Sequence, residues 1–186
     1  MTARIAPATA PFAPAIQQSI DRVMRGAPPI ALFATLARDA RLAGKFFGSG
    51  LLDKGNISLR DREIVINRTT ALCGSEYEWG VHVARFGAAA DLTEAQIDSL
   101  ARGGPNDACW TPGEATLLRL CDALHRDCQV DDQLWSQLAA NHAEEALLEL
   151  LMLAGFYRTV SYLTNVLRLP LEPFGRRFPP GMPGRS

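Results

Sequence analysis

Apolar positions recur along this chain with helical spacing and almost never alternate. Ile16, Ile20 and Val23 stand at i, i+4 and i+7, which predicts a helix over 15–25 that Pro28 and Pro29 end. From Ile30 to Phe47 the residues Leu32, Phe33, Leu36, Ala40 and Ala43 fall on related faces. They predict one helix with a wide buried surface, closed by Gly48, Gly50 and the DKGN turn around Gly55. Ser58 with Asp61 three residues on is a capping-box-like start for a run to about Leu72. Further helices are expected from Ser75 to about Ala89, from the Thr93/Gln96 capping box to Leu100, and from Thr111-Pro112-Gly113-Glu114 onward. Another should follow a cap at Asp131 or Asp132, and a last one should run from about Ala143 to Arg168, ended by Pro170 and Pro173.

No segment reads as a strand, because even Ile64-Val65-Ile66 lies inside helical periodicity. The expectation is an all-α single domain of about eight helices. Residues 1–27 would be an Ala/Pro-rich arm and a first helix, and 28–173 the domain. Residues 174–186 form a Pro/Gly-rich tail, expected to pair with a partner or stay mobile.

Composition narrows the function classes. The chain has 186 residues, 47% hydrophobic and 21% charged, which suits one globular domain. A formal net charge of −1 gives no basic excess to hold a phosphate backbone, so no nucleic-acid partner is expected. No run of about 18 apolar residues stands out as a membrane span. The stretch MTARIAPATAPFAPA is broken by Pro7, Pro11 and Pro14 and does not resemble a signal peptide. A cytoplasmic location without membrane association is the resulting expectation. Cys73, Cys109, Cys121 and Cys128 form no C-x-x-C pair and are expected to be free thiols.

The densest chemistry lies in CGSEYEWGVH, Cys73 to His82. Glu78 and His82 are at i, i+4 on one helical face, with Arg85 on the same ridge and Trp79, Val83 and Phe86 on the apolar stripe beside it. The pair suits general acid–base work, the carboxylate orienting the ring and raising its basicity, but by spacing alone it reads first as a solvated surface pair, since such i, i+4 pairs are common. In the preceding helix Glu63 precedes the apolar Ile64, Val65 and Ile66. It is either partly buried, with a raised pKa unless it meets a cation, or a surface group paired with Arg60 or Arg62.

The segment REIVINRTTALCGSEYEWGVHVARFGAAADLTEAQIDSL, with PPIALFATLARDARLAGKFFGSG before it and LLELLMLAGFYRTVSYLTNVLRLPLEP after it, resembles the carboxymuconolactone decarboxylase / alkylhydroperoxidase D-like family over most of residues 28–173. The peroxidase branch of that family carries Cys-x-x-Cys-x-x-x-His, with a Glu twelve residues before the first Cys. Counted back from His82, those positions are Glu78, Ser75 and Glu63, so the relay Glu and His are matched and both sulfurs are missing. A hydroxyl and a carboxylate cannot perform thiolate attack and disulfide closure.

The resemblance therefore implies the decarboxylase-like chemistry of a cofactor-free enzyme acting on a small-molecule substrate. His82 would be proton donor or base, Glu78 its orienting partner and Glu63 a second carboxylic acid. Tyr77 would be a hydroxyl donor, and Arg85 or Arg68 the cation for an anionic substrate. It also implies a homo-oligomer, trimer or hexamer. Cys73 lies two positions before Ser75, about 200° around a continuous helix. It could act as a lone peroxidatic thiol only if the turn redirects it, and otherwise is a small residue at a helix junction. A non-catalytic ligand-binding protein is the third class.

Cys121, His125 and Cys128 share a helical face, but three ligands spread over roughly 10 Å of straight helix do not close on one ion, and core packing is expected instead. His142 sits near a helix start with Glu144 and Glu145. Phe156, Tyr157 and Tyr162 read as core or subunit contacts. No metal or cofactor is expected. The GSG at 48–50 follows a helix and is too short for a phosphate loop.

Overall fold

Nine consecutive residues, Glu63 to Ala71, are buried, so the helix carrying them has no solvent face along more than two turns. That helix, Leu59–Leu72, is the axis of the fold. The computed structural model describes residues 2–49 and 51–182, which form a single all-helical domain. Among the described residues there are nine helices and no strand. In chain order they are α1 Pro14–Met24, α2 Ala31–Leu36, α3 Ala40–Ser49, α4 Leu59–Leu72, α5 Glu76–Phe86, α6 Glu94–Arg102, α7 Pro112–Asp127, α8 Asp132–Ala139 and α9 Glu144–Val166.

Helix α4 packs against α5, α6, α7 and α9, while α1, α2 and α3 form a smaller layer. Local sequence starts most of these elements. Ser58 accepts from Asp61 N, Thr93 and Thr111 close full capping boxes with Gln96 and Glu114, and Asp131 accepts from Leu134 N. Each such cap contributes about 1 kcal/mol. In α1 the buried stripe is Ile16, Ile20 and Met24, whereas Val23 is exposed.

The run Ile30–Phe47 is two helices rather than one, which raises the count from the expected eight to nine. At the break, Asp39 Oδ1 accepts from Leu42 N at 2.9 Å, so a side chain starts α3 where the apolar pattern continues without a mark. Phe33, Phe46 and Phe47 meet edge to face across that corner, with centroids 5.1 to 6.2 Å apart. The last helix also departs from expectation. By length and apolar composition α9 could cross a membrane, although its inner residues Leu150, Leu153, Tyr157 and Val160 are buried within the helical packing.

The tail, as far as residue 182, lies against the protein. Arg176 N donates to Gly80 O at 2.9 Å, Phe178 N donates to Glu76 Oε1 at 3.2 Å, and Phe178 stacks at a tilt on Trp79 with centroids 5.0 Å apart. A Cβ on Gly80 would overlap the Arg176 carbonyl, so this crossing requires glycine. Residues 183–186 and Gly50, part of the expected GSG turn, lie outside the described residues.

Candidate active site

Two helices meeting at a sharp junction build the site. Helix α4 ends at Leu72 with Cys73 as its C-cap, and Gly74 follows with φ of +65°, a left-handed conformation that breaks the helical path. Ser75 then caps α5: its Oγ accepts from Glu78 N at 3.4 Å and shares a hydrogen bond with Thr164 Oγ1 of α9 at 2.8 Å. This turn faces α5 toward α4, and Glu63, Glu78 and His82 meet between the helices.

His82 Nδ1 lies 2.9 Å from Glu63 Oε2, and His82 Nε2 lies 3.4 Å from Glu78 Oε1. All three residues are buried, Glu63 completely. The imidazole is therefore held at both nitrogens by carboxylates, 15 residues apart in sequence but on facing helices. Burial alone would lower the His82 pKa, but the charge and hydrogen bonds of Glu63 and then of Glu78 outweigh it and raise it to about 9. The ring carries its proton at neutral pH and donates from Nδ1 to Glu63.

Glu63 is buried as one sequence reading allowed, but it is not bare. Arg62 Nε lies 3.4 Å from its Oε1, and Asn67 Nδ2 donates to its backbone carbonyl at 2.7 Å and reaches Oε2 at 3.5 Å. Two carboxylates face one imidazolium and one guanidinium, so the charges balance within the site. Two polar atoms of the site stay open: Glu78 Oε2 and Asn67 Oδ1 are buried and meet no hydrogen-bond partner among the described residues. Leaving such an oxygen unsatisfied costs about 1–3 kcal/mol, and a bound group that donates to it would recover that cost.

Aromatic rings close the site. Tyr157 of α9 meets His82 edge-on with centroids 5.0 Å apart, and Phe86 lies at 5.3 Å and carries Arg62 over its face at 5.8 Å. Burial first, then the charges of Glu78 and Glu63, push the Tyr157 hydroxyl well above its ordinary pKa. It is a neutral O–H at any physiological pH.

Comparison with solved structures identifies the architecture. The debrominase Bmp8 in complex with 2,3,4-tribromopyrrole superposes with a TM-score of 0.78 at 13% identity, covering 94% of each chain. A peroxidase-related protein from Silicibacter sp. TM1040 gives 0.75 at 15% identity over 92% of each chain. The alkylhydroperoxidase AhpD core of a peroxidase-related protein from Ralstonia eutropha JMP134 gives 0.70 at 15% identity, covering 98% of this chain and 97% of the other. This chain has the alkylhydroperoxidase D-like fold. No family model matches the sequence, and no curated protein is similar to it at a significant level.

Within this AhpD-like frame the residues expected at the site separate into two groups. Glu63, Glu78 and His82 converge, with Ser75 at the cap beneath them. Tyr77, Arg85, Arg68 and Cys73 are engaged elsewhere. The Tyr77 hydroxyl donates to Glu172 Oε1 at 2.6 Å and accepts from Leu32 N at 3.1 Å, and burial together with Glu172 pushes its pKa far up. Arg85 is exposed, its guanidinium 4.6 Å over the Phe174 ring. Arg68 is held by Asp122 Oδ1 at 2.7 Å and by the carbonyls of Leu100 and Gly103.

The turn at Gly74 does not redirect Cys73, which keeps helical backbone geometry as the C-cap of α4 and faces α7: its Sγ lies 3.9 Å from His125 Nδ1. The cation of the site is Arg62, which sequence reading offered only as a surface partner of Glu63. Tyr157 was missed as a site residue, since nothing in α9 itself marks a contact made across 75 residues.

Cys121, His125 and Cys128 border one cavity but are not placed to hold a metal ion. Cys121 is buried with Sγ 3.8 Å from Val65 O, its thiol pushed up to about 12 by burial, while Cys128 is exposed. Among the described residues no group of three or more His, Cys, Asp or Glu side chains is placed to hold a metal ion. Among the described residues no disulfide joins any of the four cysteines.

Proposed function

We propose that this AhpD-like protein is an acid–base enzyme of the decarboxylase type, acting on a small carboxylated lactone or a related metabolite. The observation that carries the reading is the buried His82, held 2.9 Å from Glu63 and 3.4 Å from Glu78. A protonated imidazole fixed at both nitrogens is a proton donor whose orientation and charge state are set before substrate arrives. Loss of CO₂ from such a substrate leaves an electron pair on carbon that must be stabilised and then protonated. His82 supplies the proton from Nε2, the nitrogen on the Glu78 side. Glu63 holds the opposite nitrogen and stabilises the imidazolium, and Arg62 balances Glu63 and offers a cation to a carboxylate. The neutral hydroxyl of Tyr157 is available to donate to a developing oxyanion.

A thiol peroxidase working through Cys73 is the weaker reading. The two cysteine positions of the peroxidase pattern hold Ser75 and Glu78, and the Cys73 thiol faces His125 rather than His82. A cytoplasmic location and a homo-oligomeric state belong to the same proposal. The large apolar side chains Leu148, Met152, Tyr162 and Val166 exposed along α9 suit an interface between copies.

The test is turnover of a panel of small carboxylated lactones, followed by CO₂ release. The reading expects activity in the wild type that His82→Gln and Glu63→Gln each reduce by at least 100-fold and Cys73→Ser leaves unchanged. Turnover that depends on Cys73 and not on His82 contradicts it.

A further inference from the structure

A second group of reactive side chains gathers on the other side of α4, at the C-terminal end of α7, and nothing in the acid–base reading uses it. Cys73 Sγ and His125 Nδ1 lie 3.9 Å apart although the residues are 52 positions apart in sequence. Arg158 of α9 closes over the same end of α7. Its guanidinium donates to His125 O at 3.1 Å and Leu124 O at 3.5 Å, which satisfies carbonyls left open at the helix end.

Beside this pair opens a cavity of about 180 Å³ whose walls include Thr69, Leu124, His125, Cys128, Gly155 and Arg158. Cys73 stands one helical turn beyond Thr69, its amide donating to the Thr69 carbonyl at 3.1 Å; its thiol touches His125, a wall residue of that cavity, and the residue is partly exposed. An imidazole in contact and a guanidinium nearby are the surroundings that favour thiolate over thiol. The charge interaction of Arg158 with both Cys73 and Cys128 agrees with this placement. The two remaining thiols of this region differ in kind: Cys121 is buried, and Cys128 is exposed at the left-handed cap of α7.

We propose that Cys73 is a thiol–disulfide exchange site for small disulfides that join an apolar body to an anionic group, with His125 as its proton acceptor and Arg158 as the anion contact. The Cys73 proton passes to His125, and the thiolate attacks one sulfur of R–S–S–R. The new Sγ–S bond forms as the old S–S bond breaks, and R–S⁻ leaves with the electron pair. Cys73 is oxidised and one half of the disulfide is reduced, so no further oxidant is needed. The apolar half of the retained group occupies the cavity and its anion faces Arg158. The site is independent of the relay at His82.

The experiment uses the full chain and one equivalent of 5,5′-dithiobis(2-nitrobenzoate), an aromatic anionic disulfide, at neutral pH. Released thiolate is followed with time, and peptide mass mapping locates the adduct. The expected result is modification of Cys73 ahead of Cys128 and Cys109. Mapping on the wild type needs no substitution, and labelling of exposed Cys128 first, with Cys73 unmodified, overturns the proposal. His125→Gln is expected to slow labelling of Cys73 at least tenfold, and an unchanged rate overturns the proposal. Replacing the probe with cystamine, a cationic disulfide, is expected to slow labelling of Cys73 at least fivefold relative to Cys128. An equal or faster relative rate with cystamine removes the anion contact and with it the proposed substrate class.

Discussion

His82 Nδ1 and Glu63 Oε2 are 2.9 Å apart between two buried side chains on facing helices, and this contact sets the charge state of the site. The His82 pKa rises from 6.5 to about 9. Its proton is bound more tightly in the folded than in the unfolded chain, so its contribution to stability is complete below about pH 6.5 and is lost as pH rises through about 9. Urea unfolding of the wild type is therefore expected to show stability falling between those values. His82→Gln, which leaves two carboxylates facing one guanidinium, is expected to cost about 3 kcal/mol at pH 6.5. That cost should shrink as pH rises past 9. A difference between variant and wild type that does not change with pH contradicts the assignment.

The same sign governs turnover. With His82 as proton donor, kcat/KM is expected to fall as pH rises through about 9, and a rate that instead rises over that range assigns the essential group to a base.

Glu63, Glu78, Ser75 and His82 were legible because their register survives in the sequence, even though the sulfurs that usually mark it do not. The helix starts were legible for a local reason. Ser58, Thr93, Thr111 and Asp131 sit three residues before the amides they cap. What stayed hidden depends on contacts between distant segments. The expected cation was Arg85 or Arg68, yet Arg85 turns outward to Phe174, Arg68 is held by Asp122, and Arg62 reaches Glu63 from the adjacent position on α4. Tyr157 and His125 enter only through the packing of α9 and α7 on α4. The break between α2 and α3 rests on one side chain, Asp39, inside an unbroken apolar pattern.

Tyr157→Phe removes the hydroxyl and keeps the ring against His82. Stability is expected to change by less than about 1 kcal/mol, since the buried ring area is retained. Turnover is expected to fall roughly 10- to 100-fold if that hydroxyl donates to an oxyanion. Thermal melts and kinetics on the same preparation separate the two effects.

Gly80→Ala places a methyl group against the Arg176 carbonyl. The tail crossing at Arg176 to Phe178 should detach from Trp79 and α5, at a cost of roughly 1–3 kcal/mol. Hydrogen exchange at the Arg176 and Phe178 amides is expected to accelerate, while amides in α4 keep their protection. Unchanged exchange at those two amides contradicts the described crossing.

Ser75 and Glu78 occupy the N-cap and third positions of α5, at the separation of a C-x-x-C pair. The double substitution Ser75→Cys with Glu78→Cys is expected to place two thiols at a helix N-terminus, where thiolates are favoured, and to close a disulfide on mild oxidation. Thiol titration should then count two fewer free thiols than before oxidation.

The central claim is that His82 is a buried imidazolium shared by two carboxylates. The chain has three histidines, His82, His125 and His142, so a ¹⁵N-histidine NMR titration with one His82→Gln control assigns the resonances. The expected result is a His82 ring protonated at both nitrogens at pH 7.5, titrating near 9. A neutral His82 ring at pH 7.5, with a midpoint at or below the ordinary value of about 6.5, contradicts the claim.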